Sequence, residues 1–144
     1  MEPRQITDRY FVSPQIDPED IAAIRDAGFT RVICNRPDAE VPPSHQAAAI
    51  GAAAEAVGLD FEVLPLTHQT MTPENVAAQA TLVADAPGKV LAYCASGTRC
   101  TVIWALSRAG EEPVDDILSK AAAGGYDLGG LRPTLEAMAA QSKS

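Results

Sequence analysis

Cysteine, aromatic side chains and positive charge are all scarce in this chain. Its 144 residues hold three cysteines, one tryptophan and two histidines, and aromatics make up only 5%. Three thiols build no disulfide framework, and no CxxC pair or His/Cys cluster with zinc-like spacing occurs. Neither a stapled secreted fold nor a metal site is therefore expected, and no cofactor is implied. With so few aromatics, the core has to come from Ala, Val, Leu and Ile. Lys and Arg total 11 against 19 Asp and Glu, leaving a net charge of −8. That balance argues against a nucleic-acid or anionic-membrane binder, and an anionic substrate would need a local positive site set against it. No run approaches the length of a membrane span, and the opening MEPRQITDRYF has no apolar signal-like stretch. The expectation is one cytoplasmic domain over 1–144, long enough to bury a core, with its thiols reduced.

What is present is a regular alternation of short apolar runs and helical patterns. RYFVS (9–13) reads as an edge strand, FTRVICN (29–35) and LDFEVLPL (59–66) as the next two, and KVLAYC (89–94) as a fourth. Between them, Asp17 followed by Pro18, Glu19 and Asp20 opens a helix that stops at Gly28. Ser44 is placed to cap a second helix through Val57, and Thr72-Pro73-Glu74 opens a third running to about Ala86. TVIWALSRAG (101–110) is helical again, and the tail holds two more helical segments around a glycine turn. Strands alternating with helices predict an α/β domain, a largely parallel central sheet of four to five strands flanked by helices. Ligands of such sheets bind beyond the carboxyl ends of the strands. Cys94, Cys34 with the NRPD loop, and the LTHQT segment (66–70) all fall at such ends.

The stretch CASGTRC (94–100) carries the chemistry. A strand, a glycine turn and a helix start together aim unpaired backbone N–H groups at one point, and the helix dipole adds partial positive charge. Gly97 lets the backbone turn back, with Ala95, Ser96 and Thr98 completing an anion-binding loop. Such a cradle also stabilises a thiolate, which makes Cys94 a candidate nucleophile. Arg99 offers a planar fork for the oxygens of a phosphoryl or sulfonate group. The plainer alternative is a buried structural cysteine at a strand end.

CASGTR resembles the active-site loop of cysteine-dependent phosphatases and of rhodanese-type sulfurtransferases. Residues 6–40, VLAYCASGTR (90–99) and GGYDLGGLRPTLE (124–136) resemble one bacterial family in particular. This is the phosphatase-like domain of beta-lactamase-hydrolase-like proteins, also catalogued as a sulfur transferase family. The resemblance implies a dual-specificity cysteine-phosphatase architecture, with Cys94 as nucleophile and Arg99 as anion clamp. The family pattern has Arg after the cysteine and Ser after the loop arginine; here those positions are Ala95 and Cys100.

Two readings of Cys94 follow. Protein tyrosine and dual-specificity phosphatases use Cys-x5-Arg, whereas this chain has the Cys-x4-Arg spacing of rhodanese loops. Phosphomonoester hydrolysis through a covalent Cys94 intermediate also asks for a general acid, for which Asp38 and His68 are the candidates. Asp38 is otherwise a solvated turn residue, and His68 a surface loop histidine. Sulfur transfer needs no strong acid, because thiolates leave readily. Cys100 then becomes a possible second thiol, unless it only faces the core, while Cys34 reads as a small core residue. Whole-chain resemblance ranks the phosphatase reading first, with sulfurtransferase as the alternative. A non-catalytic anion-binding or thiol-redox-sensing domain is the third. The partner implied is a phosphorylated substrate, or a small anionic or sulfane-sulfur one.

Overall fold

In the computed structural model, which describes residues 2–142, five strands form one sheet. They are β1 (Arg4–Gln5), β2 (Tyr10–Ser13), β3 (Phe29–Cys34), β4 (Asp60–Val63) and β5 (Lys89–Tyr93). Their order is β1-β2-β5-β3-β4, with every neighbouring pair parallel except β1 and β2. The central strands β3 and β5 are near-continuous apolar runs because both of their faces are covered, as a parallel sheet requires.

Alternation along those strands sorts side chains into two layers. Val32, Cys34, Leu91 and Tyr93 pack with Ile16, Ile21, Ile24 and Ile50, beneath α1 (Ile21–Asp26) and α2 (Ala47–Ala56). Ile33, Val90, Ala92 and Cys94 pack on the other side with Cys100, Trp104, Ile117 and Leu135. Those residues come from α4 (Thr98–Arg108), α5 (Val114–Ala123) and α6 (Arg132–Ser142), with α3 (Pro73–Ala84) packed against α4. Ile24, Ile50 and Ile103 have no solvent exposure. Cutting any one to Ala would cost roughly 2–5 kcal/mol. Gly51 sits in α2 because a Cβ there would approach the Phe61 ring to 3.0 Å.

Several element boundaries differ from those the residues suggested. RYFVS does not lie at the edge: the chain before it turns back, pairing Arg4 with Val12 and Gln5 with Phe11, so the two-residue β1 takes that position. The helix after Asp17 starts as a 3-10 turn over Pro18–Asp20. Ser44 does not cap α2; its hydroxyl pairs with His45 Nδ1 at 2.8 Å, and α2 begins only at Ala47. Most relevant to the site, α4 starts at Thr98 rather than 101, directly after Gly97 at φ 93°. Arg99 and Cys100 therefore belong to the first turn of the helix.

Candidate active site

The chain leaves the sheet at Cys94 and enters α4 within four residues. Gly97 makes the reversal in the left-handed region, and its N–H donates to Cys94 Sγ at 3.1 Å. The backbone N–H groups of Arg99 and Cys100 converge on the same sulfur, and the Cys100 thiol donates to it as well. These contacts bring the Cys94 pKa down from 9.0 to about 5. The Cys100 thiol contributes most, burial opposes it, and the backbone N–H groups add to the lowering. Cys100 moves the other way, held well above its ordinary value by complete burial and by donating to Cys94. Charge thus sits on Cys94 and the proton on Cys100.

Arg99 turns inward and is 8% exposed. Its Nη1 donates to Glu40 Oε2 at 2.8 Å and its Nη2 to Glu40 Oε1 at 2.7 Å, a bidentate pair. Nη1 also donates to the Leu66 carbonyl at 2.8 Å. A guanidinium has five N–H donors, so Nε and the second Nη2 proton lie outside the bonds to Glu40 and Leu66. Arg36 Nε reaches Glu40 Oε1 at 3.1 Å and shares the load. The Arg99 guanidinium lowers the Glu40 pKa, against the effect of burial, and Glu40 in turn raises that of Arg99.

Tyr126, from the segment between α5 and α6, braces the loop from outside. Its hydroxyl donates to the Ser96 carbonyl at 2.8 Å and lies where a Cβ on Gly97 would have to go. The Arg4 guanidinium covers that ring, 5.4 Å from its centroid. On the inner side, a fully buried chain of side chains ties the sheet to α4. Asn35 and Gln79 exchange amide hydrogen bonds of 2.9 Å each way, Gln79 Nε2 donates to Tyr10 Oη at 3.2 Å, and Tyr10 donates to the Cys100 carbonyl at 2.7 Å. Buried amides left unpaired are costly, so this chain fixes the start of α4 in register with β3.

The structure brings Cys94, Gly97, Arg99 and Cys100 together, with Ala95, Ser96 and Thr98 on the rim. There Ser96 Oγ and Thr98 Oγ1 lie 2.8 Å apart. Asp38, a candidate general acid, is exposed and lies at the start of α2. Its Oδ1 accepts the Ala47 N–H at 2.8 Å and so caps α2. His68 is exposed, two residues past the Leu66 carbonyl that holds Arg99. Cys34 lies on the opposite face of the sheet, its thiol donating to the Arg36 carbonyl at 3.3 Å. Glu40 carries no signal in the residues that sets it apart from Asp38 in the same loop after β3; only the turn over Asp38–Glu40 decides which carboxylate faces Arg99. Tyr126, Tyr10 and Gln79 carry no signal that separates them from packing residues.

Residues 2–111 match the family described as beta-lactamase hydrolase-like protein, phosphatase-like domain. A beta-lactamase hydrolase-like protein of Xylella fastidiosa is 31% identical over 139 residues, covering 95% of this chain and 32% of that protein. The chain thus spans about a third of the length of the curated relatives it matches. A crystal structure of a candidate phosphatase from Neisseria meningitidis is 34% identical, covers 94% of this chain and 96% of that one, and superposes with a TM-score of 0.84. TpbA of Pseudomonas aeruginosa, solved with phosphotyrosine, is 14% identical over 96% of this chain and 88% of its own, with a TM-score of 0.64. At that identity the likeness is one of fold.

Proposed function

This chain belongs to the phosphatase-like domain family of beta-lactamase hydrolase-like proteins, and from that premise we propose that it hydrolyses phosphomonoesters through Cys94. The observation that carries the reading is the pairing of a lowered-pKa sulfur, held by loop N–H groups, with an arginine whose one edge is locked by Glu40. In this scheme the Cys94 thiolate attacks phosphorus and the ester oxygen departs, leaving a phosphocysteine. Water then cleaves the S–P bond, releasing inorganic phosphate and restoring the thiolate. The loop N–H groups and the Nε–Nη2 edge of Arg99 hold the non-bridging oxygens as charge builds on them. With Asp38 engaged at α2, the leaving groups best served are those that depart without a strong acid, aryl oxides above all. The test is hydrolysis of an aryl phosphate by the purified chain, with Cys94→Ser expected to abolish turnover while leaving the fold intact. Activity equal in the two proteins, or absent from both, overturns the proposal.

Two observations favour sulfur transfer as a second reading: the Cys-x4-Arg spacing and a thiol, rather than a hydroxyl, donating to Cys94. Here the Cys94 thiolate attacks the outer sulfur of thiosulfate, forming a persulfide as sulfite leaves. Mass spectrometry after incubation with thiosulfate would find one added sulfur on Cys94. An unmodified Cys94 beside a competent control enzyme rejects this reading.

A further inference from the structure

We propose that the cavity between α3, α4 and α5 is a second ligand site, shaped for a small aromatic acid with a neutral oxygen opposite its carboxylate. The cavity measures about 440 Å³, enough for one ring with two substituents. Gln79 and Val83 of α3, Trp104 and Arg108 of α4, Lys120 of α5, and Arg9 just before β2 line it. No residue of the 94–99 loop does. The site stands apart from the turnover chemistry above and holds whichever substrate Cys94 serves.

An unpaired donor is the first support. Trp104 is 5% exposed, and its indole N–H, the only polar group of the side chain, has no hydrogen-bond partner among the described residues. Buried indoles ordinarily satisfy that group. The N–H is not sealed in the core, where the Tyr93 hydroxyl is the one side-chain polar group without a partner among the described residues. The open space that Trp104 borders is this cavity. An acceptor placed there supplies the missing bond.

Arg108 is the second. Its Nε donates to Glu112 Oε2 at 2.8 Å, while its two terminal nitrogens carry no hydrogen bond among the described residues. Lys120 Nζ donates to Glu112 Oε1 at 2.6 Å, so two cations share one carboxylate. With Arg9 and Asp8 counted as well, three cations and two carboxylates line the cavity, a local surplus of one in a chain of net charge −8. A monoanion matches that surplus, whereas a phosphate dianion exceeds it. Trp104 and Arg108 are four residues apart in α4 and so share a face, about 6 Å apart along its axis. A carboxylate fits the planar fork of Arg108. One turn away the indole N–H meets a neutral oxygen, and the Trp104 ring with Ala80 and Val83 provides apolar wall for an aromatic body.

Trp104 is the only tryptophan, so the proton–nitrogen NMR spectrum of the labelled full chain has a single indole signal to follow. The probe is para-hydroxybenzoate, which should move that signal saturably at micromolar to millimolar concentrations. The analogue para-toluate lacks the second oxygen and para-hydroxybenzamide lacks the charge. Each should bind at least about tenfold more weakly. Arg108→Gln should weaken para-hydroxybenzoate by a similar factor, and as a partly exposed position it leaves the core intact. Inorganic phosphate, the ligand suited to the Cys94 loop, should not displace the probe. The proposal is overturned by an indole signal that stays in place, by equal affinity for para-toluate, by unchanged affinity in Arg108→Gln, or by displacement with phosphate. The wild-type titrations need no variant to fold. None of these readouts depends on turnover, so failure here is distinguishable from failure of the phosphatase reading.

Discussion

The carboxylate of Glu40 grips both terminal nitrogens of Arg99, at 2.8 and 2.7 Å, from a loop fifty-nine residues earlier in the chain. This leaves the Nε–Nη2 edge of the guanidinium outside the Glu40 pair.

Replacing Glu40 with Gln should keep one hydrogen bond and lose the charge-assisted pair. The lost alignment should lower kcat/KM for an aryl phosphate by roughly ten- to a hundredfold, the equivalent of about 1.5–3 kcal/mol. The change should fall mainly in kcat, because Arg99 would still attract the anion but no longer hold it in line. Arg99→Lys should cost more, since an ammonium has no planar edge. Steady-state kinetics on both variants decide the point.

The pH dependence follows from Cys94. Its pKa of about 5 lies far below the ordinary thiol value of 9.0, so the thiolate, the reactive form, is already dominant at neutral pH. Both kcat/KM and the rate of alkylation by iodoacetamide should rise through an inflection near pH 5 and then level off. Cys100→Ala removes the largest stabilising contact and should move that inflection upward, whereas Cys100→Ser should largely preserve it.

The same shift has a stability consequence. Because the folded state releases the Cys94 proton at lower pH than the unfolded chain, the unfolded state binds more protons between about pH 5 and the ordinary thiol value. Stability from this group should therefore be present above the unfolded value and be lost as pH falls toward 5. Urea denaturation of wild type and Cys94→Ser across that window should show a flatter profile for the variant.

Gly97 occupies a backbone conformation at φ 93° and faces the Tyr126 hydroxyl, so Gly97→Ala meets both strain and a clash. It should destabilise the fold by about 1–3 kcal/mol and remove most Cys94-dependent chemistry, because the N–H that faces the sulfur moves. Tyr126→Phe is milder: it removes only the donor to the Ser96 carbonyl, at about 0.5–1.5 kcal/mol. Thermal melts and the Cys94 alkylation rate separate the two effects.

Gln79→Ala should destabilise more than its size suggests, by about 2–4 kcal/mol, since it leaves the Asn35 amide without its partner and strips one from the Tyr10 hydroxyl inside the core. A native-like midpoint in chemical denaturation would show that the buried chain is not a structural tie.

Much of the fold was readable along the chain because parallel strands and their crossover helices are written in local periodicity. The runs at 29–35 and 89–94 and the cap at Thr72 needed no tertiary information, as the Thr72 hydroxyl accepting the Asn75 N–H at 3.2 Å illustrates. The loop CASGTR was equally legible, since Gly97, the strand before it and the helix after it are all local signals. Boundaries were less so. Whether α4 begins at Thr98 or three residues later depends on Gly97 turning left-handed, which residue order permits but does not require.

Local order along the chain determined the α/β architecture, the thiol at a strand end and the arginine that closes its loop. Tertiary structure alone decided which carboxylate meets that arginine, which side of the sheet each cysteine occupies, and which tyrosine braces the turn. The physical reason is distance along the chain. Glu40 and Arg99, Tyr10 and Cys100, and Tyr126 and Ser96 are each brought together by sheet order and helix packing. Contacts of that kind leave no periodic trace in the segments that make them.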